Sequence, residues 1–386
     1  MLRSTQPLSH ADSSARFAAR DRASPCADVL AASDAQWTSL LGQLEHDFYH
    51  LPGYVTTCAQ PLQGEAIAFH IEDDGNHFFL PMIVRALPDF GDRELQGWRD
   101  ASSPYGYPGP IIAIGDRGSA AGSMFPARAI DALLERMHAL KILTAFVRFH
   151  PLLNTPPDPF AAAGELIQHG RTVSIDLRLP AEQIWRQMRR NHRSQITQLR
   201  ELSGLAVERD AGWSHFPLFL QLYQATMDRV GAQHSYYFER SYYEGLREAL
   251  GERAHLFILR VGDRTGAAAI VTELCGIVQY HLAATSDEFV KHHPHKLLCH
   301  EVSLWAKDRG NRVLHMGGGL GGQEDALYHF KAGFSPQRHA FYTWRACSDI
   351  ALYKRINSLW QERVRPDSID PTFFPMYRQL GTRSRG

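Results

Sequence analysis

From Asp34 onward the chain alternates between stretches with apolar residues three and four apart and stretches with apolar residues at every second position. The first spacing predicts helices and the second strands. Asp34 stands as an N-cap before AQWTSLLGQLEH, a predicted helix, and the aromatic loop HDFYHLPGYV follows. Strand-like runs occupy 64–71 and 77–84 on either side of the turn residues DDGN, and SPYGYPGPIIAI (103–114) is a turn-rich approach to another strand. A helix over 126–140, a strand over 141–150, a helix over 158–170 stopped by glycine and a strand over 171–177 complete the first half.

The second half runs through a similar order. Helices are predicted over 180–202, 214–229 and 240–250, then strands over 255–261, 267–274 and 277–285. A helix over 295–310, a strand over 311–318, a glycine loop, a helix over 323–333 and a strand over 339–346 follow. ARAIDALLERMHALKILTAFVRFHPLL in one half and LLCHEVSLWAKDRGNRVLHMGGGL in the other share the order helix, short turn, strand, loop. Few residues coincide, so the repeat is architectural. The expected fold class is α+β, a tandem duplication of two mixed α/β units with a cleft between them. The expected boundaries are a disordered tail over 1–33, a first unit over 34–178, a second unit over 179–347, and a C-terminal helix and tail over 348–386.

Composition narrows the partners. The chain of 386 residues balances 41 basic against 41 acidic side chains, which argues against a bulk DNA binder and leaves any nucleic-acid contact to a local patch. No apolar run reaches the roughly 18 residues a membrane-spanning helix needs, and the N-terminus lacks the apolar core of a secretory signal. A cytoplasmic protein with no integral membrane contact is expected. The 5 cysteines are odd in number and never spaced C-x-x-C, so neither a disulfide framework nor a zinc site is expected. The histidine-rich KHHPHKLLCH (291–300) lacks helical metal-ligand spacing, and no metal is expected. Neither a nucleophile elbow nor a phosphate-binding Walker loop is present.

HMGGGLGGQEDALYHFKAGFSP (315–336) places glycine at 317, 318, 319, 321 and 322. Glycine costs about 0.5–1 kcal/mol relative to alanine in regular structure, so such a cluster signals positive φ angles or a backbone approached closely by something else. A tight strand-to-helix turn explains it equally well. In the helix predicted from Pro180, Trp185, Met188, Ile196 and Leu199 face a core, while Arg186, Arg189, Arg190 and Arg193 form an adjacent stripe. Guanidinium groups on one face suit phosphate, or form an ordinary solvated surface. Tyr105 and Tyr107, flanked by Gly106 and Gly109, are candidates for lining an acceptor cleft, with Tyr236, Tyr237 and Phe238 as a second aromatic patch. His281 and His315, on neighbouring predicted strands, are candidate general bases. Core packing is the plain alternative for each.

The glycine-bearing strand exit HMGGG, followed by HFKAGF with Phe330, Lys331, Gly333 and Phe334, resembles the Fem-type (FemABX-like) aminoacyl transferases of the GNAT acyltransferase superfamily. The arginine-rich RRNHRSQI, the YHL strand at 280–282, Pro294 with Leu297, Leu298 and Glu301, and SPYGYPGP extend the resemblance over about 35–380. It implies two tandem GNAT-like units, the second catalytic. It also implies an amide-forming transfer from an activated donor, aminoacyl-tRNA, to a small-molecule, peptide or sugar-linked amine in cell-envelope or polysaccharide synthesis.

On that resemblance, the Lys331 ammonium stabilises the oxyanion and the Phe330 carbonyl orients the amine. Arg190, Asn191 and Arg193 contact donor or acceptor phosphates, and Gly317, Gly318 and Gly319 admit substrate to the backbone. GNAT enzymes proper hold acyl-CoA on a glycine-rich loop before a helix. LAATSDEFVKHHPHKLLCHEV in the second unit has no glycine there, so no cofactor is expected and CoA is disfavoured. Gly115, Gly118 and Gly122 in the first unit leave a CoA site there as an alternative. The other readings are an acyl-CoA-dependent N-acyltransferase and a non-catalytic ligand-binding GNAT-like protein.

Overall fold

The computed structural model describes residues 25–153, 155–364 and 369–379. The first half contains β1 (Ala27–Ala31), α1 (Ala35–Leu41), α2 (Pro52–Ala59), β2 (Glu65–Asp73), β3 (Asn76–Ala86), β4 (Arg99–Ser102) and β5 (Ile111–Ala113). It closes with α3 (Ala120–Ala139), β6 (Ile142–Arg148), α4 (Asp158–Ala163) and β7 (Glu165–Asp176). The second half opens with α5 (Ala181–Gln187), α6 (Arg190–Arg200), β8 (Leu205–Asp210), α7 (Phe216–Val230) and α8 (Arg240–Leu250). The strands β9 (Ala254–Val261), β10 (Arg264–Leu274) and β11 (Ile277–Thr285) follow. Then come α9 (His295–Asp308), β12 (Val313–Gly317), α10 (Ala326–Lys331), β13 (Arg338–Cys347) and α11 (Ile350–Gln361).

Among the described residues all thirteen strands belong to one mixed sheet in the order β1-β2-β3-β4-β6-β13-β7-β12-β11-β10-β9-β8, with β5 on β3. The halves repeat one plan. In the first, α3 joins β4 to its parallel neighbour β6; in the second, α9 joins β11 to its parallel neighbour β12. They are also stitched together at the centre, because β7 pairs with both β12 and β13 while β13 pairs back onto β6. The two halves therefore share a sheet, and the site lies where they join.

Three helical or tail expectations are corrected. Ala27–Ala31, assigned to the tail, is an edge strand whose Ala27 and Leu30 are buried and which pairs with Ile67–Ile71 of β2; residues 1–24 of that tail lie outside the described residues. The expected helix over 158–170 ends at Ala163, and residues 165–170 are strand because β13 supplies a long-range pairing partner that overrides local helical spacing. The single helix over 180–202 is two, with Met188 and Arg189 extended between them. At that break the Arg189 N–H donates to the Gly333 carbonyl at 2.8 Å, so backbone docking against the end of α10 interrupts the helix and the four-arginine stripe with it.

One apolar cluster spans both halves, with Trp37, Phe48 and Tyr54 packed with Phe219, Tyr243 and Leu246. The opposite sheet face is covered by α3, whose Leu133 clusters with Phe69 and Phe78, and by α6 and α9, whose Ile196, Leu298 and Val302 cluster with Leu314. At the centre β11 and β12 are hydrogen-bonded only from Ile277–Gln279 to Val313–His315. Beyond Gln279, β11 continues with β10 to Thr285 while β12 stays beside β7, and a wedge opens between the two parallel strands. Among the described residues no helix is long and apolar enough to cross a membrane.

Candidate active site

The closed end of the wedge is built on a buried carboxylate. Asp47 accepts from the Phe48 N–H at 2.7 Å through Oδ1, and from Gln279 Nε2 at 2.6 Å and His150 Nε2 at 2.9 Å through Oδ2. His150 Nδ1 accepts from the Leu152 and Leu153 N–H groups, both at 3.2 Å, which places its proton on Nε2. Because the Gln279 amide nitrogen is committed to Asp47, its oxygen faces the neighbouring strand and accepts from His315 Nδ1 at 2.7 Å. His315 Nε2 is thereby left as the lone-pair nitrogen. It is fully buried and has no hydrogen-bond partner among the described residues. Burial first, then the charges of His150, His339 and Lys331, hold the His315 pKa well below the ordinary imidazole value, so the ring is neutral at physiological pH.

Three further groups lie beside this ring at the exit of β12. Tyr107 packs edge-on against His315 with ring centroids 5.2 Å apart. Lys331 donates from Nζ to the Gly318 carbonyl at 2.5 Å. Gly317 has φ +75°, and a Cβ there would lie 3.3 Å from both the Lys331 ammonium and the Tyr107 hydroxyl. The glycine therefore does two things: it supplies a left-handed turn and keeps open the space those two groups border. The Lys331 pKa falls to about 8 through burial, and burial pushes the Tyr107 phenol up to about 12. Gly322, with φ +81°, folds the rest of the loop back so that its carbonyl lies over Gly170 of β7; Gly319 is hemmed in by Gln323 and Asp325 and faces no substrate space.

Other expected residues are placed differently. Both lone pairs of the Phe330 carbonyl are committed, to the Gly333 N–H at 3.1 Å and to His192 Nε2 at 2.9 Å, so that carbonyl is not free to orient an amine. Tyr237 lies away from the site, its hydroxyl on Asp228 at 3.0 Å, whereas its neighbour Phe238 packs on Tyr105 at 4.9 Å. His281 bonds to the Tyr242 hydroxyl at 2.7 Å inside an aromatic box with Phe48, Tyr49 and Tyr105, and burial lowers its pKa to about 3. Its ring nitrogen is committed to Tyr242, within that aromatic box. Asp47, His150 and Gln279 went unnoticed in the sequence, where nothing about an Asp in HDFYH or a Gln in IVQYHL marks either one.

On the other side of the wedge, Arg190 and Asn191 are exposed and Arg193 is half-buried on the first turn of α6, and neither arginine forms an ion pair among the described residues. Lys296 on α9 joins them through a hydrogen bond to Gln195. The loop between β11 and α9 uses its own amides: Phe289, His293 and Lys296 donate to Ser286, Val290 and His293 carbonyls. In the first half, Gly115 donates to Asn76, Gly118 to Asp116 and Gly122 to Ser119. These amides are committed within their own loops.

Residues 186–332 match a family model described as Acetyltransferase (GNAT) domain. No curated protein matches the chain. The solved structure of FemX superposes with a TM-score of 0.62 at 14% identity, covering 85% of this chain and 99% of that one. A conserved protein of unknown function from Bacteroides thetaiotaomicron VPI-5482 superposes with a TM-score of 0.52 at 11% identity, covering 81% of this chain and 96% of that one. At such identities the likeness is one of fold, and it agrees with the repeated unit of the sheet.

Proposed function

From a chain whose residues 186–332 form a GNAT-type domain within a Fem-type fold, we propose that this protein joins an acyl or aminoacyl group to an amine at the closed end of the wedge. The observation that carries the reading is the convergence of an unpartnered, neutral His315 Nε2, the Tyr107 phenol and the Lys331 ammonium around Gly317 and Gly318.

Each group suits one part of the reaction. His315 Nε2 takes a proton from the attacking amine as the N–C bond forms, and Gln279, held by Asp47, fixes the tautomer that makes this possible. Lys331 faces the developing oxyanion; a donor aimed at that charge in a dry site is worth about 3–4 kcal/mol. As the carbonyl re-forms, the bond to the donor oxygen or sulfur breaks and the leaving atom takes the Tyr107 proton, which His315 then restores to the phenolate. The net change is an ester or thioester and an amine giving an amide and an alcohol or thiol.

The donor we favour is aminoacyl-tRNA. Arg190 and Arg193 offer cations to a phosphate backbone, and several amides of the two loops that could cradle a CoA pyrophosphate are already committed within those loops. Calorimetric titration with charged tRNA and with acetyl-CoA, separately and at low salt, tests this choice, followed by transfer assays on a panel of amines. Binding of charged tRNA without CoA binding is expected. Saturable CoA binding coupled to acyl transfer would replace the tRNA reading with an acyl-CoA one.

A further inference from the structure

Arg148 ends β6 on the sheet face that also carries His150, two residues on, and its side chain is half-buried. No carboxylate pairs with it among the described residues. Its backbone N–H donates to Ser103 Oγ at 3.0 Å, and one guanidinium nitrogen reaches the Ser103 carbonyl at a long 3.5 Å. The guanidinium also lies over the Phe146 ring at 5.0 Å. Around it stand the phenols of Tyr105, Tyr107 and Tyr236, close enough for its charge to act on each.

A cation withdrawn from water without a counter-charge is unfavourable by several kcal/mol in an apolar setting, and sites that keep one are usually completed by an anion. The guanidinium fork matches a planar carboxylate or a phosphate in bidentate fashion, and phenol hydroxyls are natural additional donors to the same oxygens. Tyr107 links this cation to the reaction centre, since it borders both Arg148 and Gly317. The opposite, donor side of the wedge carries its own cations on α6 and α9. Arg148 thus lies on the acceptor side.

We propose that Arg148, with Tyr105 and Tyr236, forms an oxyanion subsite beside Tyr107, so that the acceptor is an amine bearing a carboxylate or a phosphate. This rests on the acyl-transfer reading for the ligand's role, but the subsite itself is a binding site that can be measured without turnover.

The test is thermal unfolding of the full chain with acetate, glycine or inorganic phosphate added separately, with chloride balancing the ionic strength. Wild type, Arg148→Met and Arg148→Lys are compared. A rise of about 1–3 °C over the chloride control at saturating ligand is expected for wild type, a smaller one for Arg148→Lys and none for Arg148→Met. A shift from acetate and glycine assigns a carboxylate, and one from phosphate alone assigns a phosphate. No shift in wild type, or equal shifts in wild type and Arg148→Met, overturns the subsite. Amide formation by wild type serves as the separating measurement: an Arg148-dependent anion shift in a protein that forms no amide removes the proposed reaction and leaves the subsite standing.

Discussion

Gln279 presents its side-chain oxygen to His315 Nδ1 at 2.7 Å, and this one contact decides which ring nitrogen of His315 carries the free lone pair. The orientation of the amide is set in turn by Asp47, which takes the Gln279 N–H at 2.6 Å. Two parallel strands that pair for only three residues place these side chains side by side where the sheet opens.

His315→Gln removes the proposed base while keeping a polar side chain of similar reach. It should lower kcat for amide formation by about 10²–10⁴-fold with little change in KM. Gln279→Leu should produce part of that loss through the tautomer alone. Nitrogen-15 NMR of the His315 ring checks this: the wild type should show a single Nδ1–H tautomer, and Gln279→Leu a mixture.

The pKa of Lys331 lies near 8, so its charge is present at neutral pH and is lost as pH rises through that value. Oxyanion stabilisation should fade on the alkaline side, giving a descending limb near pH 8 that is missing from the residual activity of Lys331→Met. That variant should lose about 10²–10³-fold in kcat. Competitive trace acetylation read by mass spectrometry gives an independent check: the reactivity of Lys331 should rise to its plateau through about pH 8.

Gly317→Ala forces an L residue to φ +75° and sets a methyl 3.3 Å from both Lys331 and Tyr107. The backbone strain amounts to about 1–2 kcal/mol. Urea unfolding should show a loss of that order, and transfer should fall further than this modest destabilisation explains, because the methyl occupies space reserved for the reacting carbonyl.

Away from the site, Glu273 accepts from Arg309 Nε at 3.0 Å and from Asn311 Nδ2 at 3.0 Å, and His255 Nε2 lies 3.2 Å from it. Burial alone would raise its pKa, but these partners outweigh burial and hold it at about 2. Since the folded-state value lies below the unfolded one, the carboxylate stabilises the fold above about pH 4.5 and that contribution is lost as pH falls toward 2. Glu273→Gln should therefore flatten the dependence of the urea midpoint on pH between about 4.5 and 2.

Much of the architecture could be read from spacing. The run over 277–285 is β11 itself, and Asp34 caps α1 by accepting the Gln36 N–H at 2.9 Å, as its type and position suggested. What spacing could not reveal was set by distant partners. Residues 165–170 are helical in local pattern and become strand because β13 lies beside them, and 180–202 breaks because Gly333 captures the Arg189 amide. The site divides in the same way. Lys331, Tyr107, His315 and Gly317 stood out by chemistry or by resemblance, and the fold brings them together. Asp47 and Gln279 carry no local signal, since an Asp in an aromatic loop gains its meaning only from a glutamine 232 positions away.

The central claim is that His315 and Lys331 together make an amide at Gly317, and product formation tests it most directly. Wild type, His315→Gln and Lys331→Met are each incubated with a charged tRNA mixture, an acyl-CoA mixture and isotopically labelled amines, and new amides are quantified by mass spectrometry. The account predicts a labelled amide from wild type and at least a hundredfold less from either variant, about the loss expected of a base or an oxyanion donor. An amide formed at the wild-type rate by both folded variants would contradict it.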